Sequence, residues 1–145
     1  MYVPQVSFSL EDTLIKNIAF AESNKDIDTE KVKKCLNLVD LNSKVESLPL
    51  KLQTIVSGGG LNFSGGERQR LLLARALYNQ FEFIILDEAT SALDYKTEKK
   101  ILTNLKQLNK TTLLISHDQK ILAECDKVYF LENGKIIKKK LHEYF

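Results

Sequence analysis

Apolar residues recur along this chain with two different spacings, and the spacing changes near residue 61. In the first part it is helical: the stretch TLIKNIAF, residues 13–20, repeats apolar positions every three to four residues, and a second helix is predicted to begin near Asp28. Pro49 and the glycine-rich run 57–60 predict a loop. The pattern therefore predicts a mostly helical segment before residue 62.

Beyond residue 62, helical spacing alternates with short apolar runs. Helices are predicted over 66–79, 98–108 and 119–124, and strands over 83–86, 111–116, 127–132 and 135–138, the last two joined by a turn at 133–134. The run 83–86 is continuously apolar, which is typical of a strand buried on both faces, and 111–116 is predicted to be another buried strand. This alternation predicts an α/β fold with a mainly parallel sheet, whose strands end at a ligand crevice.

Composition and charge narrow the class of protein further. The 145 residues carry a formal net charge of +2, which argues against a nucleic-acid surface. No stretch approaches the roughly 18 consecutive apolar residues of a membrane-spanning helix. The two cysteines, Cys35 and Cys125, lie far apart and lack metal-ligand spacing. They do not suggest a disulfide framework, so a reducing cytosol fits best. These features predict one ordinary globular domain.

Two carboxylates, Asp87 and Glu88, directly follow the apolar run 83–86. Carboxylates at the end of a buried strand are costly unless something compensates them, and Mg²⁺ bound to nucleotide phosphates would do so. One carboxylate would hold the metal and the other would orient or deprotonate a water molecule. The pair could equally cap the following helix after a turn at 89–91. Taken alone, the two interpretations have similar weight.

A glycine pair opens the helix that follows residue 62. Gly65 and Gly66 allow backbone N–H groups to approach a ligand, and Ser64 adds a hydroxyl at the positive end of the helix. This arrangement suits a terminal phosphate, although Ser64 could also be an ordinary helix cap. His117, after the run 111–116, and Gln5 carry little weight in isolation.

Four stretches of the chain resemble the ABC ATPase domain, and they occur in the order found in that domain. They are YVPQ, FSGGERQRLLLARAL, FIILDEATSALD and LLISHD, and the resemblance covers nearly the whole chain. They correspond to its Q-loop, signature motif, Walker B strand with D-loop, and H-loop. The resemblance implies a partial P-loop NTPase fold, with a RecA-like parallel sheet core and an α-helical ABC subdomain. Residues 6–61 would form the helical subdomain, and residues 62–145 the carboxyl-terminal part of the core.

The resemblance also implies roles in ATP hydrolysis with Mg²⁺. Gln5 would contact the magnesium ion and the attacking water, Asp87 would support the metal, and Glu88 would be the general base. His117 would be the switch histidine that contacts the γ-phosphate. These assignments place catalysis at the carboxyl ends of neighbouring strands.

Further residues would act across a head-to-tail dimer with a second ATPase domain. Ser64, Gly65 and Gly66 would clasp the γ-phosphate held by that domain. Glu67, at the signature position where Gln is common, belongs with them. Asp94 would be the D-loop residue that links the two sites. The resemblance therefore implies a composite nucleotide site.

The family's remaining partner would be a transmembrane transporter domain, gripped by residues 6–61 at the cytoplasmic face of the inner or plasma membrane. The sequences YVPQ and DEATSALD are most similar to the corresponding stretches of exporters. The stretch 54–60 lacks the acidic residue that exporters usually carry before the signature, which leaves the direction of transport open. The transported substrate also stays open, and no nucleic acid is expected.

The chain contains no G-x-x-x-x-G-K-[ST] phosphate loop. We therefore expect the 145 residues alone to bind ATP feebly and hydrolyse none. Absence of the family's central Walker A strand would also leave strand edges unpaired, which predicts a marginal, aggregation-prone fold. Two alternatives stay open: a non-catalytic docking or regulatory module, and a non-functional remnant of a split gene. The absence of a long heptad repeat disfavours a DNA-repair type of ABC ATPase.

Overall fold

A computed structural model describes residues 1–5, 9–20, 26–56, 62–79 and 81–138. The chain separates into two units, Met1–Ile115 and Ser116–Phe145. The subdomain boundary predicted at residues 61 and 62 lies within the first unit and stays a prediction. The glycine-rich run 57–60 lies outside the described residues.

Six helices and seven strands are described. In chain order they are β1 (Tyr2–Val3), β2 (Asp12–Thr13), α1 (Leu14–Ala19), α2 (Thr29–Leu38), α3 (Asn42–Ser47), β3 (Ile55–Val56), α4 (Gly65–Tyr78), β4 (Phe83–Asp87), α5 (Tyr95–Gln107), β5 (Thr111–Ile115), α6 (Gln119–Leu122), β6 (Tyr129–Glu132) and β7 (Lys135–Lys138). A 3-10 helix, Lys51–Gln53, precedes β3. The major predicted helices and strands are confirmed within a few residues, whereas α3 and the short β2–β3 pair were not predicted.

Side-chain caps fix where the main helices begin. Thr13, Asp28, Ser64 and Asp94 each accept a hydrogen bond from a backbone N–H in the first turn of α1, α2, α4 and α5, respectively. Such caps satisfy donors that have no partner within the helix. Helices α1 and α2 then pack on α4. Leucine and isoleucine side chains fill this helical core, among them Leu14, Ile18, Leu36, Leu71 and Leu73.

The first unit contains a parallel three-stranded sheet in the order β1–β4–β5. Tyr2 pairs with Ile85, and Ile85 pairs with Leu113, so that these three residues share one face. Among the described strands, β5 pairs only with β4. The sheet therefore brings the residues that follow β1 and β4 to the same edge.

Only one face of this sheet is buried. Ile84 and Leu86 are 2% and 0% exposed, whereas Phe83, Leu113 and Ile115 are 45–46% exposed on the opposite face. The prediction that strands β4 and β5 are buried on both faces was therefore wrong. A continuous apolar run records the character of both faces, but burial also requires a packing partner on each of them.

The second unit contains α6 and the antiparallel hairpin β6–β7. Asn133 and Gly134 form its turn with φ values of 50° and 73°, as the sequence predicted. Leu131 and Ile136, which pair across the hairpin, are 76% and 74% exposed. No helix among the described residues is long and apolar enough to cross a membrane.

Candidate active site

Gln5 and Glu88 meet at the carboxyl-terminal edge of the parallel sheet. Gln5 Nε2 donates a hydrogen bond of 2.6 Å to Glu88 Oε2. They can meet because β1 and β4 are parallel neighbours, and both residues lie just beyond the strand ends. The sequence predicted that both residues belong to one site, and the structure brings them together.

The backbone of Glu88 is held in an unusual conformation. Its φ of 46° lies in the left-handed region, which is unfavourable for a residue with a β-carbon. Two hydrogen bonds hold it there: Glu88 N–H donates to Ile115 O at 3.0 Å, and Ser91 N–H donates to Glu88 O at 3.1 Å. Residues in such conformations are found mainly at functional sites, and they persist only where surrounding contacts offset the strain. The Glu88 carboxylate is thus positioned by both neighbouring strands.

Asp87 and Glu88 do not cap the next helix, so that alternative interpretation of the pair was wrong. Asp94 caps α5 by accepting a hydrogen bond from Thr97 N–H at 3.1 Å. These interactions with Thr97, first through its side chain and then through its backbone, lower the pKa of the exposed Asp94 carboxyl. Asp94 therefore has a structural role here, and its predicted role across a dimer stays a prediction.

Tyr2 is a site residue that the sequence did not reveal. Its hydroxyl donates a hydrogen bond of 2.7 Å to Asp87 Oδ2. This hydrogen bond is the main reason that the pKa of Tyr2 is raised. Tyr2 is opposite Ile85, so Tyr2 and Asp87 lie on the same face of the sheet. That parallel register is the signal that could have identified Tyr2.

The oxygen ligands at this edge fit a shared rather than a complete magnesium site. Asp87 offers a carboxylate and Gln5 an amide oxygen. No group of three or more His, Cys, Asp or Glu side chains in the described ranges could hold a metal ion. Mg²⁺ at nucleotide sites usually takes only one or two carboxylates, and the phosphates and water complete its coordination. The donor set is compatible with Mg²⁺ that arrives with a nucleotide.

The residues predicted to bind phosphate form the amino-terminal end of α4. Ser64 Oγ accepts from Glu67 N–H at 3.2 Å, and Glu67 Oε2 accepts from Ser64 N–H at 2.8 Å, which is a complete capping box. Lys44 Nζ lies 3.3 Å from Glu67 Oε1. The capping interpretation of Ser64 is thus present in the structure, and its phosphate role stays a prediction.

Gly66 allows the start of α4 to approach the backbone of Ala92 closely, a contact that the sequence did not predict. A β-carbon at Gly66 would lie 3.0 Å from Ala92 O and 3.1 Å from Leu93 Cδ2. Gln69, which is 5% exposed, strengthens the same contact by accepting from Ala92 N–H at 3.0 Å. The start of α4 therefore packs directly on the loop 88–94 that carries Glu88. This contact joins the two groups of predicted site residues within the first unit.

His117 lies in the second unit. It follows the end of β5 by two residues and is exposed. The next residue, Asp118, caps α6 by accepting from Lys120 N–H at 2.8 Å. The predicted contact of His117 with a γ-phosphate stays a prediction.

Comparison with known proteins identifies the family. The family model described as "ABC transporter" matches residues 2–91. The chain belongs to the ABC transporter family. Use of ATP and Mg²⁺ is general in this family, and the matched range includes the site residues from Gln5 to Glu88.

Relatives of this ABC transporter chain are considerably longer. The transport/processing ATP-binding protein ComA of Streptococcus pneumoniae (strain ATCC BAA-255 / R6) is 37% identical over 141 residues, 97% of this chain and 20% of that protein. The ATP-dependent lipid A-core flippase of Cupriavidus pinatubonensis (strain JMP 134 / LMG 1197) is 36% identical over 145 residues, 98% of this chain and 25% of that protein. The chain thus spans about a fifth to a quarter of the length of these relatives.

The fold is also shared with a solved exporter structure. A bacterial Atm1-family ABC exporter with ATP bound superposes with a TM-score of 0.85 and 32% identity, covering 94% of this chain and 24% of that chain. The predicted α/β fold with a parallel sheet, a partial ABC ATPase fold, is confirmed.

Replacing Gly66 by Ala should lower the stability of this ABC transporter chain relative to replacing Gly65 by Ala. Both changes add a methyl group to the first turn of α4. At Gly65 its nearest neighbour would be Ala92 Cβ at 3.7 Å, an ordinary contact, whereas at Gly66 it would press on backbone. Overpacking of this kind costs about 1–3 kcal/mol. Urea midpoints measure the difference, and equal midpoints would disprove the steric role.

Replacing Glu67 by Gln should flatten the loss of stability in acid. Burial raises the pKa of Glu67, but the Ser64 hydrogen bond and Lys44 outweigh it, so the pKa is lowered overall. The carboxylate therefore stabilises the fold fully above its unfolded pKa and loses that effect as pH falls through the folded pKa. Urea unfolding at pH 7, 5 and 3 tests this expectation.

The exposed ion pair of Glu46 with Lys51 provides the control for that experiment. Glu46→Gln should change the acid dependence less than Glu67→Gln, because solvent and salt screen exposed pairs. A Glu67→Gln chain that loses stability in acid as steeply as the wild type would contradict the assignment.

Proposed function

We propose that this chain is the carboxyl-terminal part of the ATP-hydrolysing domain of an ABC exporter. The observation that carries the proposal is the hydrogen bond of 2.6 Å from Gln5 to Glu88 at the end of β4. It orients a carboxylate at the sheet edge where parallel α/β folds bind ligands. A carboxylate there can accept a proton from the water molecule that attacks the γ-phosphate.

Asp87 and Gln5 are the residues that would hold Mg²⁺, in agreement with their oxygen donors. When bound, Mg²⁺ neutralises negative charge on the phosphate oxygens. The contribution of this chain is orientation. Tyr2 holds Asp87 through one hydrogen bond, and Gln5 holds Glu88 through another. Two adjacent carboxylates are thereby given different partners and can take different roles.

The start of α4 would act on a nucleotide held by a second ATPase domain in a head-to-tail dimer. Helix α4 runs from Gly65 to Tyr78, and the N–H groups of its first turn carry partial positive charge. Ser64, Gly65 and Gly66 would approach the γ-phosphate there, while Glu67 fixes the cap. Asp94 would contact the second domain and His117 would contact the γ-phosphate of its own site.

A transmembrane domain is the other proposed partner, gripped by the helical subdomain at residues 6–61. That arrangement would place the chain at the cytoplasmic face of the membrane. The relatives include a transport/processing protein and a lipid A-core flippase, so likeness alone does not choose among cargoes. Closure of the ATPase dimer and hydrolysis would drive the membrane domain between inward and outward states.

The test begins with the coding DNA upstream of Met1, read in all three frames for G-x-x-x-x-G-K-[ST] and membrane helices. The complete polypeptide is then assayed for Mg²⁺-dependent ATP hydrolysis as wild type and as Glu88→Gln. Hydrolysis that depends on Glu88 supports the proposal. If the complete polypeptide hydrolyses no ATP, or hydrolyses it equally well as Glu88→Gln, a non-catalytic docking module becomes the better explanation.

A further inference from the structure

Asn17 is a fully buried polar residue of α1 with hydrogen bonds in several directions. Its side chain is 0% exposed. Asn17 Oδ1 accepts from Leu10 N–H at 2.8 Å, and Nδ2 lies 3.0–3.1 Å from the carbonyl oxygens of Leu10, Asp12 and Thr13. The amide therefore ties the segment that leads into α1 to the helix itself. Only a side chain that both donates and accepts can make this set of contacts.

Arg75 of α4 reaches the same residue from the neighbouring helix. It is 2% exposed. Arg75 Nε donates to the backbone oxygen of Asn17 at 2.6 Å, and Nη2 donates to Asn17 Oδ1 at 3.1 Å. The guanidinium also lies over the ring of Phe20, with its carbon 5.2 Å from the ring centroid. Because a planar guanidinium fixes two donor directions at once, it restrains both the distance and the rotation of α1 relative to α4.

Helix α4 connects this contact to the proposed phosphate-binding residues. A continuous helix runs from Gly65 through Arg75, ten residues apart, which at a rise of 1.5 Å per residue is about 15 Å. Because α4 is continuous, a rotation of the helix about Arg75 would displace Ser64 and Gly66. A shift of the segment 10–20 would therefore also move the start of α4.

We infer that Asn17 and Arg75 are positioning residues for ATP hydrolysis, because they lock α1 onto α4 and thereby fix the signature residues against the nucleotide. This inference rests on the proposed function. The two residues act through α4 and not at the reacting atoms. Precision of this kind matters because a misplacement of about 1 Å can cost about 100-fold in rate.

The experiment compares two variants of the complete transporter in detergent or lipid. Asn17→Leu retains the number and branching of the side-chain heavy atoms and removes their hydrogen bonds. Ile18→Ala truncates an equally buried side chain of the same helix and leaves the hydrogen bonds between Asn17 and Arg75 intact. The quantities measured are kcat and KM for ATP and the thermal midpoint of unfolding. Arg75→Lys, which retains the charge but loses the planar fork, serves as a second test if Asn17→Leu does not fold.

Asn17→Leu and Arg75→Lys are expected to lower kcat by about tenfold or more, with KM for ATP changed less than about threefold. Ile18→Ala should lower the thermal midpoint while retaining most of the kcat. At matched loss of stability, Ile18→Ala could lower kcat as much as the Asn17 and Arg75 variants do. That result would make the Asn17–Arg75 contact an ordinary core contact and overturn the inference. Absence of hydrolysis in the wild type would instead overturn the proposed function, and this inference with it.

Discussion

Replacing Glu88 by Gln in the complete transporter should lower the rate of ATP hydrolysis by about 10²- to 10⁴-fold, the usual contribution of a general base. Gln has nearly the same shape and can still accept the hydrogen bond from Gln5, which is 2.6 Å long in the wild type. It cannot take up the proton of the attacking water. The loss should therefore appear in kcat, while ATP binding is retained. Phosphate release under saturating ATP measures it.

One further measurement and one control variant make this experiment specific. The ATP-bound head-to-tail dimer should accumulate in the Glu88→Gln transporter, because closure precedes the blocked step. Size-exclusion chromatography does not resolve closure of ATPase domains that the membrane domains already hold together, so a cross-link between the two ATPase domains is the better measurement. Glu82→Gln, an exposed change at the opposite end of β4, is the matched control and should retain wild-type turnover. Wild-type turnover in Glu88→Gln would refute the base assignment.

The 145-residue chain alone should hydrolyse no ATP, and adding a polypeptide that carries the phosphate loop should restore hydrolysis. The chain has no G-x-x-x-x-G-K-[ST], whose backbone N–H groups and lysine hold the β- and γ-phosphates. The structure offers a surface for such a polypeptide. In the described part of the first unit, β5 pairs only with β4, and Leu113 and Ile115 are 46% and 45% exposed. Adding a strand to β5 and covering this face would complete the sheet.

The isolated chain should also have a marginal, aggregation-prone fold, because an open apolar strand edge can pair with other chains. Complementation should therefore raise the urea midpoint as well as the rate of phosphate release. The Glu88→Gln chain, prepared in the same way, controls for contaminating ATPases. Appreciable Mg²⁺-dependent hydrolysis by the pure wild-type chain, or a sharp and reversible thermal transition in its monomer, would contradict this prediction.

Local chemistry was readable from the sequence because neighbouring residues determine it. The starts of the main helices follow from caps such as Asp28 and Ser64, and the β6–β7 turn follows from Asn133 and Gly134, which tolerate a positive φ. The order of the four motifs was likewise sufficient to indicate the ABC transporter family, which the match over residues 2–91 shows. Each cap, turn and motif lies within a short stretch of chain, so the sequence alone shows it.

Tertiary packing decided what the sequence could not. Burial of β4 on one face depends on which elements cover it, and the apolar run 83–86 carries no such information. Tyr2 contacts Asp87, and Asn17 contacts Arg75, only because strand register and helix packing bring together residues 85 and 58 positions apart. Sequence periodicity reports which way a side chain faces within its own element. Which distant side chain it meets is set by the packing of whole elements, and only the tertiary structure contains that.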